Sequence, residues 1–181
     1  MSLYPITATA QGLYEASTTR KHVLGTIAAF NEAEGVVYAR YMSNALAASI
    51  PAGLVVNQGS VAGGFHTDAV ADVGNHVNIL GVVCASCAST AGSGFAWVAF
   101  SGPVTNAALA ATLASSASSR ALSINAAGRL SSFVSNIGTA SATTADTERN
   151  VQHRAIGFIS NSTTTVDSGT ASNATVLLFW R

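Results

Sequence analysis

Residues 78–103 read NILGVVCASCASTAGSGFAWVAFSGP, and this stretch decides the fold. Two apolar runs rich in β-forming residues, 79–83 and 95–100, flank a loop of small residues. The loop is Ser89-Thr90-Ala91-Gly92-Ser93-Gly94, and its glycines accept the positive φ that a chain reversal needs. The two runs therefore predict a β-hairpin. Pro103 has no N–H to donate to a ladder and marks the expected end of the second strand. In Phe95-Ala96-Trp97-Val98-Ala99-Phe100 successive side chains point to opposite faces, and both faces are apolar. Such a strand is covered on both sides, by the chain itself or by a neighbouring subunit.

The same phrase recurs along the chain. Leu24-Gly25-Thr26-Ile27, Leu80-Gly81-Val82-Val83 and Ile156-Gly157-Phe158-Ile159 each place a glycine after an apolar residue and before a β-branched or aromatic pair. Each is followed by a polar loop and a second apolar run, at 36–41, 95–100 and 176–180. The spacing is too irregular for a solenoid. It suits repeated hairpins, the unit of an antiparallel sandwich or barrel.

Length and composition narrow the possibilities further. A chain of 181 residues makes one ordinary domain with a real core. Hydrophobic residues make up 49% and charged residues only 9%, against roughly 25% charged in an average soluble domain. Its surface must then be built from Ser, Thr, Asn, Gly and Ala. With a net charge of zero, little electrostatic repulsion keeps copies apart. This is the composition of a subunit that lives among other copies. Nucleic acid is not an expected partner. Lys21 is the one lysine, and Arg20, Arg40, Arg120, Arg129, Arg149, Arg154 and Arg181 are scattered, whereas such binding needs clustered cations. No apolar run approaches the roughly 18 residues of a spanning helix, so a membrane is not an expected partner either. Met1-Ser2-Leu3-Tyr4-Pro5 has no basic region leading into an apolar core, and no signal peptide is expected.

Taken in order, residues 1–19 show no period and are expected as an irregular N-terminal arm that either reaches a neighbour or frays. Residues 20–181 then form a single β-rich domain. Within it, 22–30 and 36–41 read as strands around the turn Asn31-Glu32-Ala33-Glu34-Gly35. Ile50-Pro51-Ala52-Gly53 is a turn feeding a short strand at 54–56. Residues 58–76 read as a long loop with room for a short strand, and a loop of that length is a candidate contact surface. Residues 106–118 are alanine-rich, Leu109 and Leu113 stand four apart, and Thr105 or Asn106 suits an N-cap, so the stretch predicts the chain's one short helix. Strands follow at 120–124 and 129–134, around Asn125-Ala126-Ala127-Gly128, and residues 135–150 read as a surface loop carrying Asp146, Glu148 and Arg149. The last hairpin joins 152–159 to 174–180 through a Ser/Thr/Asn/Gly loop at 160–173, a second candidate contact surface. Residues 176–180 are bulky on both faces, so that strand is expected at the centre of the sheet or sealed by a partner.

Residues able to carry chemistry are few. Cys84 and Cys87 are spaced as in a redox pair or half a zinc knuckle. A redox pair, however, would open a helix after a strand, and residues three apart on a strand face opposite sides. Two buried small apolar residues are the plainer reading. His66 and His76 share a loop with Asp68 and Asp72, at a spacing that matches no metal motif, and His22 and His153 stand alone. No Gly-x-Ser-x-Gly elbow exists. Gly92-Ser93-Gly94 lacks the following helix that would hold phosphate. Glu32 and Glu34 sit on a turn, where solvated charge is the simpler account, although carboxylates distant in sequence can still meet. The sequons at Asn161 and Asn173 would matter only in a secreted eukaryotic protein. No catalytic, cofactor-binding or metal-binding residue is therefore assigned, no cofactor is expected, and the chain is not expected to be an enzyme.

The Leu80-Gly81-Val82-Val83 run, the Ser/Thr/Gly loop and Phe95-Ala96-Trp97-Val98-Ala99-Phe100-Ser101-Gly102-Pro103-Val104 resemble the central part of the capsid decoration, or cement, proteins of tailed bacteriophages. Ala52-Gly53 and Ala127-Gly128 are similar to the Ala-Gly turn that precedes a later strand in that family, with Leu54 and Arg129 where an acidic residue commonly follows. The resemblance covers residues 50–130. It implies an all-β protein, made in the host cytoplasm, that binds the outer capsid surface of the virion. Its implied partners are the major capsid protein, whose neighbouring subunits it clamps, and further copies of itself in a dimer or trimer. A receptor- or glycan-binding module of a virion surface, and another virion subunit such as a tail protein, are the alternative readings.

Overall fold

The computed structural model describes residues 11–45, 48–58, 64–66, 79–88, 94–109, 121–124, 129–132, 157–159 and 173–178. Among them the chain is all β. The strands are β1 (Ile27–Glu32), β2 (Gly35–Asn44), β3 (Val55–Gln58), β4 (Gly64–His66), β5 (Ile79–Val83), β6 (Phe95–Ala108), β7 (Ala121–Ile124), β8 (Leu130–Ser132), β9 (Gly157–Ile159) and β10 (Asn173–Leu178). The expected hairpins are present, but the first strand, expected at 22–30, begins only at Ile27 and runs through Asn31 and Glu32, residues expected in the turn. β1 pairs antiparallel with β2, closing at Glu32 and Gly35 around the two-residue turn Ala33-Glu34. β5 pairs with β6, β7 with β8, and β9 with β10, all antiparallel. Among the described strands β2 and β4 are the one pair that runs parallel, over Ser43–Gly64 and Asn44–Phe65, and an isolated bridge from Leu109 to Leu130 is also parallel.

The strand order is β1-β2-β4-β3-β5-β6-β10-β9-β7-β8. Its ends, β1 and β8, do not pair with each other, so the ten strands do not close into a barrel. β2 also pairs directly with β6, from Tyr38 with Ser101 to Ser43 with Phe95. This extra pairing folds the first part of the open sheet back on itself. β10 lies between β6 and β9, a central position that agrees with its bulky sequence.

β6 is where the expectations need correcting. Pro103 does not end the strand, which continues to Ala108. Instead the chain turns a corner at Gly102, whose φ is +99°. A Cβ there would lie 2.1 Å from the Val36 carbonyl oxygen and 2.9 Å from the Val37 Cα, so no side chain fits. Before the corner β6 pairs with β2 and β5; after it, Gly102, Pro103 and Val104 face Leu178, Leu177 and Val176 of β10. Strands that change sheets by such a bend make the corners of sandwiches. The predicted helix at 106–118 is also corrected at its start. Asn106, Ala107 and Ala108 are strand residues, with Ala107 and Ala108 opposite Ala174 and Asn173, and Leu109 bridges to Leu130. Backbone pairing with β10 outweighs the helix propensity of alanine, which is worth under about 1 kcal/mol per residue. Residues 110–118 lie outside the described residues.

Both faces of the central strands are covered by the chain itself. The larger core holds Val37, Ala39, Tyr41, Val55, Val82, Cys84, Phe95, Trp97 and Ala99, together with Val104, Ala107, Leu109, Leu130, Val176 and Leu178 from beyond the corner. The smaller core holds Met42, Ile50, Val56, Val83, Cys87, Ala96 and Val98. Neighbouring residues thus go to different cores: Tyr41 and Met42, Val55 and Val56, Val82 and Val83, Trp97 and Val98. Each large side chain fully buried in this way contributes about 1.5–3 kcal/mol.

Residues 11–19, from the expected arm, are packed onto the sheet. Leu13 belongs to the larger core. Ser17 and Phe95 exchange backbone hydrogen bonds of 2.9 and 2.8 Å. The Trp97 indole N–H donates to the Gln11 carbonyl at 3.2 Å. The sequence shows no period here because only two side chains, Gln11 and Leu13, point fully inward.

Candidate functional site

The two cysteines lie just past the end of β5, with a bend at Ala85 between them, and enter different cores. Cys84 lies in the larger core and Cys87 in the smaller one, and both are free thiols. Burial pushes the Cys84 thiol up to about 12 and the Cys87 thiol up to about 11. A thiol held protonated is a poor nucleophile and a poor metal ligand. The Cys-x-x-Cys spacing therefore places one residue in each core and forms no redox pair.

Other candidates are distributed as follows. Glu32 ends β1 and Glu34 stands exposed in the turn. His66 is the last residue of β4, within the expected loop at 58–76. Asp68, Asp72, His76, His153, Asp146, Glu148, Asn161 and the loop at 160–173 lie outside the described residues. Among the described residues no three His, Cys, Asp or Glu side chains gather around one point.

His22 has a structural place. Its ring packs edge-on against Tyr41 at 5.0 Å and tilted against Trp97 at 5.2 Å. Phe30 meets Trp97 at 5.0 Å, and Phe95 stacks on Tyr41 at 6.1 Å. The Tyr41 hydroxyl donates to Gln11 Oε1 at 3.1 Å and accepts the Lys21 backbone N–H at 3.1 Å. Burial raises the Tyr41 phenol above its ordinary value, against the lowering effect of that Lys21 N–H. This aromatic cluster holds residues 11–25 on the sheet. Trp97 is fully buried, so its ring cannot stack on a sugar. Trp180 lies outside the described residues.

What the surface offers is apolar rather than catalytic. Val37, Ala39 and Tyr41 point into the larger core, which turns Val36 and Tyr38 outward, 43% and 37% exposed. On β10, Val176 and Leu178 point inward and leave Leu177 45% exposed. Leu177 faces Pro103 across the ladder, and the Pro103 ring stands 3.4 Å from where a Cβ on Gly35 would lie. Pro103 therefore links the Gly35–Val36 end of β2 to Leu177. Beside them the Arg40 guanidinium lies 5.9 Å from the centre of the Phe100 ring, a cation–π distance. Sequence reasoning missed this face. Residues 36–41 alternate between Val37, Ala39 and Tyr41 on one face and Val36, Tyr38 and Arg40 on the other, and the charge of Arg40 is the one sign in that pattern of which set faces water.

Comparison of the chain with protein-family models, with curated proteins and with solved structures finds no match. Function therefore rests on composition, fold and surface.

Proposed function

We propose that the chain is a structural subunit of a virus particle. It acts as a decoration, or cement, protein on the outer surface of a tailed-phage capsid, stabilises neighbouring coat subunits and carries out no catalysis. The observation that carries this reading is the exposed set Val36, Tyr38 and Leu177 on an all-β fold with only 9% charged residues. A shell-binding protein needs broad contact with little charge to desolvate, because burying unpaired charge is costly. Modest contacts repeated around a shell add up through multivalency. The buried, protonated thiols and the structural role of His22 fit a protein that works by contact. The partners would be the major capsid protein and further copies of the chain.

The test is co-sedimentation with purified tailed-phage capsids stripped of decoration protein, together with the melting temperature of the shell. Saturable binding at symmetry-defined stoichiometry, with a raised shell melting temperature, supports the reading. Absence of saturable binding to such capsids overturns it.

A further inference from the structure

We propose that the edge of β1 is a self-association surface, on which β1 of a second copy pairs antiparallel across a two-fold axis centred at Ala29. This deepens the subunit reading and rests on it for the premise that copies meet.

β1 is one end of the strand order and pairs only with β2 among the described residues. Its register with β2 runs without a shift through all six residues, from Ile27 opposite Arg40 to Glu32 opposite Gly35. Exposed edges in stable monomers are normally guarded by charges, proline or a bulge. β1, Ile27-Ala28-Ala29-Phe30-Asn31-Glu32, carries one charge, at its last position, and no proline.

The free backbone groups can be assigned. Gly25 N–H donates to the Tyr41 carbonyl and Tyr41 N–H to the Thr26 carbonyl, both at 2.8 Å, so Tyr41 turns its backbone toward the β1 side. Alternation makes Ala39, Val37 and Gly35 do the same, which pairs them with Ala28, Phe30 and Glu32. The N–H and C=O groups of Ile27, Ala29 and Asn31 are left pointing away from the sheet.

These groups are self-complementary. With Ala29 opposite Ala29 of the second copy, Ile27 falls opposite Asn31 and Asn31 opposite Ile27, and each pair exchanges both N–H···O bonds. Glu32 falls opposite Thr26, so no like charges meet. Such an isologous pairing uses the edge up on both copies and stops at a dimer. It also joins the outer faces that carry Val36 and Tyr38 into one surface.

The full-length chain is purified as wild type and as Ala29→Cys, Asn31→Cys and Ala29→Pro. A cysteine at position 29 would face its own copy at the Cα separation of about 5.5 Å that a disulfide accepts. At position 31 the two copies stand four residues out of register. The native thiols are buried and do not compete. Proline at 29 removes only an outward N–H and is tolerated on an edge.

The expected result is a wild-type dimer by light scattering, with rapid covalent dimerisation of Ala29→Cys and none of Asn31→Cys. Ala29→Pro should halve the mass with an unchanged far-ultraviolet spectrum. If Ala29→Pro fails to fold, the contrast between the two cysteine variants still decides. Failure of Ala29→Cys to cross-link, an Ala29→Pro variant that stays dimeric, or a ladder of higher species in place of one dimer each overturns the edge pairing. A wild-type monomer that still binds capsids overturns the pairing and leaves the proposed function standing; a dimer that binds no capsid does the reverse.

Discussion

The two halves of β6 differ in what surrounds them. Before Gly102, the strand lies between β2 and β5, and Phe95, Trp97 and Ala99 enter one core while Ala96 and Val98 enter the other. After it, Val104 and Ala107 are buried, Thr105 is exposed and Asn106 is half-buried, against β10. The first half is apolar throughout because two layers of the chain's own residues cover it. The second half is built from small residues because it turns a corner and runs close under a neighbouring backbone. One continuous strand thus serves as the shared wall of two cores and then as the hinge between layers.

The corner is the point where this contrast is most easily broken. Gly102→Ala adds the strain of positive φ, roughly 1–3 kcal/mol, to overpacking against Val36 and Val37 of similar size. A loss on the order of 5 kcal/mol is expected, read as loss of soluble folded protein or of the cooperative urea transition. Next come paired truncations on the two sides. Trp97→Ala should cost about 4 kcal/mol and Val104→Ala about 2 kcal/mol in urea denaturation. A cost at Val104 as large as that at Trp97 would mean that the second half is the more tightly packed, since valine loses far fewer buried atoms.

The thiols sharpen the comparison by pH, since each reports one core. Cys84 and Cys87 are raised from 9.0 to about 12 and about 11. Their contribution is whole below the unfolded value and is lost as the pH rises, because the unfolded chain ionises first. Between pH 8 and pH 10 each should remove about 1 kcal/mol of stability, measured as a falling urea midpoint that a Cys84→Ala, Cys87→Ala double variant no longer shows. Tyr41→Phe removes the hydroxyl that joins Gln11 to Lys21 and should cost about 1 kcal/mol, with residues 11–25 becoming more open to proteolysis. Leu177→Ser, on the exposed face, should change stability by less than about 0.5 kcal/mol while lowering capsid binding in the co-sedimentation assay.

Residues 11–19 carry a related lesson. A deletion of 1–19 would take Leu13 out of the core and Gln11 from above Trp97, so it would not test an arm alone. Irregular sequence with two inward side chains reads as a loose arm, yet backbone bonds to Phe95 make it part of the fold.

The hairpins, the two-sided burial of residues 95–100 and the shortage of charge were all readable in the sequence. They follow from local alternation, turn residues and composition, which do not depend on what lies across the fold. The glycine-marked phrases looked alike and proved different. A Cβ at Gly25 would meet nothing within 4 Å, whereas at Gly81, where β3 and β5 shift register, it would lie 1.9 Å from the Ala99 carbonyl oxygen. Of the candidate surface, the β2 part carried one sign, Arg40 on the same face as Val36 and Tyr38, whereas Leu177 was not readable because Val176 and Leu178 beside it are equally apolar.

The sequence by itself determined an all-β chain of hairpins with apolar central strands and little charge. Only the tertiary structure decided that β6 passes through Pro103, that residues 106–108 are strand, that the sheet stays open, and that Leu177 faces outward. Those outcomes depend on which backbone lies beside Gly102 and which strands flank β10. Such non-local pairings outweigh the small local preferences that a single stretch of sequence can express.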